Sequence, residues 1–373
     1  MDRAAPPPSP GTTPPPTPAA PPSQSSPPSP LAPPSPLAPP SPLAPPSPPA
    51  PPLRPRHRDR PLAWAAGLLL SVPAAVAACR ALDKDGITPF PQLLSFLPWL
   101  ALPAGLGLLL AATARRRVLA FAAVLVLTAT AWASLPYTPL GADPYGSPLA
   151  RIRVIAANVE FGQATGSLIA LARAERPQLL YVSECDPACG RALTAALSGL
   201  LPHRVSVDAA GSAGSVLLSA HPLRDRSVIP STMGMPGATV TVAGRPVRLQ
   251  LAHPMPPVPG QVGLWKTELA RLRDEVATRP PGESLILAGD FNASQDHAVF
   301  RSVVAAGPLL DAARTTGASR TPTWPAEGPL PPYVQIDHVL TTPDLTAGAT
   351  RFPSLPGSDH RAVVADLDLR EGR

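Results

Sequence analysis

Apolar and polar residues follow three different patterns along this chain, and each pattern predicts a different kind of structure. Residues 1–60 are dominated by proline and contain few large apolar side chains. Three long apolar runs without a charged residue follow, at 62–79, 87–114 and 118–137. From residue 152 onward, short apolar stretches alternate with polar ones, which is typical of strands and helices in a folded domain. The chain is therefore expected to have three parts of distinct character.

The proline-rich part is predicted to be a disordered tail. It holds 26 of the 58 prolines and repeats the hexapeptide Ser-Pro-Leu-Ala-Pro-Pro from Ser29, Ser35 and Ser41. Such a sequence has too few apolar side chains for a core and too few N–H groups for a sheet, so it stays extended and solvated. A spacer is the simpler interpretation, and a docking peptide for a proline-binding groove is the alternative.

The three apolar runs predict three transmembrane helices within residues 61–137, because each has about the length that a bilayer core requires. Buried helices of a soluble domain are the alternative, and a cleaved signal peptide fits poorly behind so long a tail. Arginines cluster before the first run, at 54–60, and between the second and third, at 115–117. The positive-inside rule then places the tail in the cytoplasm and everything after a linker at 138–150 outside it. The expected location is the cell membrane, as a multi-pass protein.

The net charge of +6 does not indicate a DNA-binding domain, because it is unevenly distributed. The first 150 residues have 10 Lys and Arg against 5 Asp and Glu, whereas the remainder has 21 against 20. The basic excess therefore fits membrane topology better than nucleic-acid binding. Of three cysteines, Cys79 ends the first apolar run, and Cys185 and Cys189 are close enough to form a disulfide in an oxidising compartment or to be two core thiols.

Residues 151–370 predict a domain in which strands dominate and helices are interspersed. Helical periodicity occurs at 165–176, 188–200, 261–278 and 297–305, and the strands lie between and after these helices. Two sheets packed face to face with helices outside would satisfy this pattern. We therefore expect a four-layered α/β sandwich, preceded by three transmembrane helices and the tail.

Polar residues recur at or near the ends of the predicted apolar strands. They are Asn158, Glu184, His253, Asp290, Asn292, Asp337 and His360. A composite site built from several strand ends is a common way for sheet proteins to assemble catalysis.

In these residues, the chain from 152 to 369 resembles the endonuclease/exonuclease/phosphatase superfamily of metal-dependent phosphohydrolases. The resemblance, together with the apolar runs, suggests a membrane-anchored member of the bacterial type. The matching segments occur in the family's order: Ala157-Asn158-Val159, Val182-Ser183-Glu184, Leu251-Ala252-His253-Pro254, Gly289-Asp290-Phe291-Asn292, Ile336-Asp337-His338 and Ser358-Asp359-His360. Thr321-Pro322-Thr323-Trp324-Pro325 resembles the loop before the family's Ile-Asp strand. Gln178 and Ala220 depart from the residues often found there, which affects the substrate more than the fold.

Together, the residues and the resemblance predict a metal site. Glu184 is expected to bind Mg²⁺, with Mn²⁺ or Ca²⁺ as alternatives. Asp359 is expected to bind the ion directly or through water, and Asn158 to contact the ion or a phosphate oxygen.

Catalytic roles are expected for five further residues. His360 would contact the phosphate, and the resemblance implies that Asp337 holds its other ring nitrogen. Asp290 would orient the attacking water, Asn292 would bind a phosphate oxygen, and His253 would protonate or stabilise the leaving group.

Several histidines have a simpler interpretation. His338 is expected to be a core or supporting residue, and His203, His221 and His297 lack carboxylate neighbours in any motif and are expected at the surface.

The sequence thus predicts a hydrolase of phosphate esters, most consistently of phosphodiesters. Nucleic acid, a phospholipid head group and an inositol phosphate remain open as substrates, and no protein partner is evident. The alternative is a non-catalytic module on the same fold that binds a phosphorylated ligand or a protein partner.

Overall fold

The computed structural model describes residues 59–135, 146–327 and 333–371. The predicted disordered tail lies almost entirely outside these residues, as does 138–145 of the predicted linker. The described chain comprises a helical part, 59–135, and a mixed α/β part from residue 146 onward.

The helical part contains three longer helices that pack on one another. Its elements are α1 (Asp59–Ala81), α2 (Phe90–Ser95), a 3₁₀ turn (Leu97–Leu100), α3 (Ala101–Thr113) and α4 (Arg117–Ser134). Small residues lie where the helices meet, as is usual for helices that pack closely. At Gly107 of α3, for example, a Cβ atom would lie 2.9 Å from Cγ of Leu70 on α1.

Two of these helices are long and apolar enough to cross a membrane, Arg60–Ala81 and Arg117–Ser134. The second predicted span, 87–114, is not a single long helix. Its apolar helix is the shorter Leu97–Thr113, because residues 87–96 form a turn and the short helix α2, which lie against the α/β part.

The α/β part consists of strands with helices between them. The first half contains β1 (Pro148–Asn158), α5 (Thr165–Glu175), β2 (Leu179–Ser183), α6 (Pro187–Leu197), β3 (His203–Val207), β4 (Ser215–Ser219), β5 (Arg224–Ile229) and β6 (Met235–Val242). The second half contains β7 (Arg245–Ala252), α7 (Val262–Thr278), β8 (Ser284–Asp290), α8 (Ala298–Ala306), β9 (Leu310–Asp311), α9 (Ala312–Thr315), β10 (Asp337–Thr341), β11 (Leu345–Arg351) and β12 (Val363–Arg370).

These strands form two mixed six-stranded sheets with the orders β11-β12-β1-β2-β4-β3 and β5-β6-β7-β8-β10-β9. The sheets pack face to face, and their facing side chains, such as Val154 and Ile286, form one apolar cluster. The outer face of the first sheet packs on α5 and α6, and that of the second on α7 and α8. Two packed sheets flanked by helices are the predicted α/β sandwich.

The strand polarity explains why the polar strand ends meet. β1 and β2 run parallel at the centre of one sheet, and β7 and β8 run parallel at the centre of the other. The carboxyl ends of the two strands in each pair therefore lie side by side at the same end of the sheet. The antiparallel neighbours β10 and β12 begin at those same ends, with Asp337 opposite Asp290 and Val363 opposite Ala156.

Candidate functional site

The site lies where these strand ends converge, and a single amide connects the two sheets there. Asn158, the last residue of β1, is 1% exposed. Its Nδ2 donates to Glu184 Oε1 at 3.1 Å and to Asp290 Oδ2 at 3.2 Å. Its Oδ1 accepts from the backbone N–H of Glu160 at 3.0 Å. Asn158 therefore holds two carboxyl groups from different sheets side by side.

On the other side of Asp290, an imidazole contacts three carboxylates. His360 Nδ1 lies 2.9 Å from Asp337 Oδ2, and His360 Nε2 lies 3.7 Å from Asp290 Oδ2 and 3.8 Å from Asp359 Oδ1. Burial alone would lower the pKa of His360, but Asp337, Asp290 and Asp359 together raise it to about 10. His360 is thus a cation at neutral pH, oriented by the carboxylate on its Nδ1 side.

Burial has the opposite consequence for the nearby acids. It raises the pKa of Asp290 to about 7, against the opposing effect of His360, and Asn292 N–H donates to Asp290 Oδ1 at 2.8 Å. Burial also raises the pKa of Glu184, and the hydrogen bond from Asn158 partly offsets that rise. A carboxyl group with a pKa near 7 is suited to accept a proton at neutral pH.

His253, the residue after β7, remains neutral. It is fully buried, and this burial lowers its pKa to about 3. Its Nε2 lies 3.9 Å from Glu184 Oε1, and neither ring nitrogen has a hydrogen-bond partner among the described residues. His253 therefore carries no positive charge at neutral pH.

Four non-glycine residues beside the site have left-handed backbone conformations: Glu160 (φ 44°), Phe161 (φ 55°), Glu184 (φ 56°) and Asn292 (φ 47°). Such conformations are uncommon and cost roughly 1 kcal/mol or more each. Each lies one to three residues after a strand end and lines the cleft. Local strain is concentrated where the chemistry is expected.

The donor set fits a divalent cation. Four carboxyl groups line one cavity of about 540 Å³, namely Glu160, Glu184, Asp290 and Asp359, and His360 is the one imidazole on it. No Lys or Arg occurs among the described lining residues, so the acidic charge is incompletely balanced by protein groups.

Two further observations agree with a cation. One carboxylate oxygen of Asp290 lies within 4.8 Å of one of Asp337, and Asp337 Oδ1 is buried without a partner among the described residues. Oxygen-rich, acidic surroundings are those that Mg²⁺ and similar hard cations prefer.

Comparison with known families agrees with this arrangement. The sequence matches the family model described as the Endonuclease/Exonuclease/phosphatase family over residues 155–360, which is more than half of the chain. The chain belongs to this endonuclease/exonuclease/phosphatase family. A comparison with curated protein sequences found no match.

The solved structures of several proteins are similar to part of this chain. An endonuclease/exonuclease/phosphatase from Beutenbergia cavernae is 23% identical, with 59% of this chain and 72% of that chain covered and a TM-score of 0.48. TDP2 from D. rerio in complex with a single-strand DNA product is 16% identical, with 59% and 99% covered and a TM-score of 0.49. Sphingomyelinase C from Streptomyces griseocarneus is 18% identical, with 58% and 99% covered and a TM-score of 0.43.

The structure brings all eight predicted site residues of this family member to one region. Six of them surround the cleft directly or through hydrogen bonds to its lining residues: Asn158, Glu184, Asp290, Asp337, Asp359 and His360. Asn292 also lines the cleft, although its Nδ2 donates to the carbonyl of Pro254 at 3.0 Å. His253 lies behind Glu184. Their individual roles remain predictions.

The expectations for the other histidines had mixed outcomes. His338 is a buried supporting residue, because Nδ1 contacts Asp311 Oδ2 at 2.8 Å and the ring packs on Phe300. The expectation that His297 lies at the surface is wrong. It is fully buried, with Nε2 2.8 Å from the carbonyl oxygen of Pro91 in the helical part.

Several residues at the site were not predicted from the sequence. Glu160 lines the cleft and accepts from the backbone N–H of Asp359 at 2.8 Å. Trp324 Nε1 donates to Asp359 Oδ2 at 2.8 Å, and Ser358 Oγ donates to the carbonyl of Asn158 at 2.8 Å. Trp324 and Ser358 do occur within the family-like segments, which is the signal that could have identified them.

Proposed function

We propose that this protein is a membrane-anchored, divalent-metal-dependent hydrolase of phosphodiesters that acts outside the cytoplasm. The observation that carries the enzymatic part is the cleft that combines four carboxyl groups with one imidazole, that of His360, which Asp337 orients. An ion held by the carboxylates would neutralise the phosphate and help to activate water. A cationic His360 beside it supplies a hydrogen-bond donor for a non-bridging oxygen.

The residues divide the remaining work according to their charge. Glu184, Glu160 and Asp359 are the oxygen donors available to hold the ion. Asp290, with its raised pKa, accepts the proton of the attacking water. Its neighbour Asn158 fixes the direction of that carboxylate by the 3.2 Å hydrogen bond.

The leaving-group side is assigned to His360, which can stabilise negative charge and donate a proton to the leaving oxygen. Neutral His253, which lies beside Glu184 and does not line the cleft among the described residues, supports that carboxyl group.

Membrane anchoring is supported by the surface of the helical part. Large apolar side chains point outward from all three long helices, for example Trp64 of α1 at 81% exposure, Leu102 of α3 at 69% and Phe121 of α4 at 65%. A helix in the core of a soluble protein would bury such side chains, whereas lipid would cover them.

The number of crossings follows from one further contact. The segment between α1 and α3, residues 82–96, touches the α/β part through Asp85 and Pro91, so both lie on one side of any bilayer. Between residue 96 and residue 146 the chain must then cross an even number of times. If α4 crosses, the shorter apolar helix Leu97–Thr113 must cross as well, which supports three spans.

The side of the membrane is inferred from charge and from cysteine chemistry. Arg115, Arg116 and Arg117 lie at the turn from α3 to α4, whereas the contacts with the α/β part lie near the opposite ends of these helices, at Phe96 and Ala133. The positive-inside rule places the arginines in the cytoplasm. Cys185 and Cys189 form a disulfide, and disulfides are typical of oxidising compartments outside the cytoplasm.

The enzymatic proposal is tested with the full-length protein in detergent. Hydrolysis of bis(p-nitrophenyl) phosphate is expected with Mg²⁺ and not with EDTA, and Asp290→Asn should lower kcat by about 10² or more, as expected for loss of a general base. Asp274→Asn, at an exposed position of α7, is the matched control and should keep full activity. Equal rates with and without metal, or an active Asp290→Asn protein, would instead favour a binding module.

Orientation is tested separately with reporters fused after Arg373. An alkaline phosphatase fusion should be active and a fluorescent-protein fusion dark if the domain is exported. The reverse result would place the domain in the cytoplasm.

A further inference from the structure

The segment between the first two long helices, residues 82–96, is bound tightly to the α/β part. Asp85 is 3% exposed and accepts from the backbone N–H groups of Ala298 and Val299 at 2.6 and 3.0 Å, at the beginning of α8. Lys266 Nζ of α7 donates to the carbonyl of Gly86. The segment is thus fixed against the domain by buried polar contacts, in contrast to a loose linker.

The same segment forms part of the wall of the catalytic cleft. Gln92, Ser95 and Phe96 line the cavity together with Glu184, Asp290 and His360. The ring of Phe96 stacks on that of Tyr333, with centroids 4.3 Å apart and an interplanar angle of 26°. A residue from the membrane part of the chain therefore contributes directly to the site.

This part of the cleft is apolar. Besides Phe96 and Tyr333, its apolar lining residues include Phe161, Met255, Val258 and Val334. One cavity thus combines a site for a phosphate with a wall suited to a hydrocarbon or other apolar group.

The cleft wall also lies close to the membrane surface. Phe96 immediately precedes the apolar helix Leu97–Thr113, whose early residues Trp99 and Leu102 are 44% and 69% exposed. At about 2 Å per residue in the 3₁₀ turn, Phe96 lies within roughly 10 Å of the first turn of α3. The head-group layer on each side of a bilayer is roughly 5–8 Å thick. The phosphates of membrane lipids occupy that layer.

The charge of the cleft disfavours the main alternative. Nucleic acids are bound chiefly by Lys and Arg that neutralise successive phosphates. The described residues of this cleft include four carboxyl groups and no Lys or Arg. A substrate with one phosphate and a large apolar part matches the lining better than a polyanion does.

We propose, on the basis of the hydrolase function proposed above, that the substrate is the phosphodiester of a membrane lipid and that Phe96 is a specificity-determining residue for it. Phe96 and Tyr333 contact the apolar part of the lipid, while the phosphate lies at His360 and the carboxyl cluster. The helical part of the chain is then both an anchor and one wall of the substrate site.

The test compares lipids with the same head groups lacking acyl chains. Full-length protein in dodecyl maltoside micelles receives an equimolar mixture of phosphatidylcholine, phosphatidylethanolamine, phosphatidylglycerol and phosphatidylinositol, or the corresponding glycerophosphodiesters. Products are measured by mass spectrometry. The lipids are expected to have a kcat/KM about tenfold or more above that of the deacylated diesters, and Phe96→Ala should remove most of this preference, as expected for loss of an aromatic contact.

Control variants separate this role from a structural one. Phe121→Ala, which removes an exposed aromatic ring from α4, should leave both rates unchanged. Phe96→Leu keeps an apolar side chain and should retain an intermediate preference, which shows that the site is folded. A Phe96→Ala protein that loses activity equally on both substrates would overturn the proposal.

The remaining outcomes are also decisive. Hydrolysis of bis(p-nitrophenyl) phosphate without hydrolysis of any of these lipids would overturn the lipid proposal and leave the enzymatic one intact. Cleavage of a single-stranded oligonucleotide in preference to the lipids would also overturn the lipid proposal, and it would identify the enzyme as a nuclease. No hydrolysis of any diester would overturn the proposed function itself.

Discussion

Replacing Asp85 tests whether the segment 82–96 is held to the domain as strongly as its contacts indicate. The side chain of Asp85 caps α8 from a distant part of the chain, since His297, the residue before α8, makes no side-chain cap of its own. Asp85→Ala removes a carboxylate from a helix N-terminus and leaves two N–H groups without their acceptor. Loss of a helix cap costs about 1–2 kcal/mol, and each unsatisfied buried group costs about 1–3 kcal/mol.

The expected loss of stability for Asp85→Ala is therefore about 2–4 kcal/mol. Asp85→Asn loses the negative charge near the helix N-terminus but keeps one acceptor oxygen. Its loss of stability should therefore be about half that of Asp85→Ala. The matched control is Asp83→Ala, two residues away. The Asp83 side chain is 72% exposed and pairs with Arg301 at the surface, so its removal should cost about 1 kcal/mol or less.

Urea unfolding of the detergent-solubilised protein gives the free energies, and hydrogen exchange locates the effect. In Asp85→Ala, exchange should increase in residues 86–96 and in the first turn of α8, and it should be unchanged in Asp83→Ala. An Asp85→Ala protein within about 0.5 kcal/mol of wild type, with unchanged exchange, would refute the docking argument. The assignment of Phe96 to the substrate site would lose its structural basis as well.

Three further predictions concern the site and the core. Trp324→Phe removes the 2.8 Å hydrogen bond to Asp359 and should weaken Mg²⁺ binding by about tenfold. Titration of the activity with Mg²⁺ measures this effect. An unchanged Mg²⁺ requirement would contradict a role for Asp359 at the ion. Replacing both Cys185 and Cys189 by Ala opens a five-residue loop and should lower the free energy of unfolding by about 2 kcal/mol. A reducing agent should lower the stability of the wild type by the same amount and leave that of the double variant unchanged. Burial raises the pKa of Tyr181 well above its ordinary value of 10.0, so the folded state disfavours ionisation and wild type should lose stability as pH rises above 10. Tyr181→Phe should be less stable at pH 7 by about 1 kcal/mol, through the lost bond to the carbonyl of Ile286, and should lose less stability above pH 10; parallel pH profiles would contradict this.

The central strands and the polar residues at their ends could be predicted because their signals are local. β8 is buried on both faces, so its sequence is a continuous apolar run, and the run ends where Asp290 must reach the cleft. Gly289 has a similar local explanation. Its φ is 142°, and a Cβ atom would lie 2.3 Å from the carbonyl oxygen of Ala252 on β7. The close approach of two parallel strands at the site requires glycine there.

The supporting contacts could not be predicted because they join residues that are far apart in sequence. Nothing near Glu160 indicates that it will accept a hydrogen bond from Asp359, which is 199 positions away. His297 likewise has no local feature that predicts burial, since its partner Pro91 belongs to the helical part. Such contacts depend on the packing of the whole fold, whereas strand ends depend on one segment at a time.

The second apolar run shows why composition alone gave too long a span. Phe96 packs on Tyr333, and Leu94 and Leu97 are buried, so protein neighbours cover the side chains that a hydropathy pattern assigns to lipid. Hydropathy measures the preference of a side chain for leaving water, and a domain surface satisfies that preference as well as a bilayer does. The beginning of the run does contain a distinguishing feature, because Pro89, Pro91 and the polar Gln92 are poorly suited to the interior of a membrane helix. The first residues of such a run are better interpreted as a segment that docks on the folded domain, and only the shorter apolar helix Leu97–Thr113 remains as a candidate span.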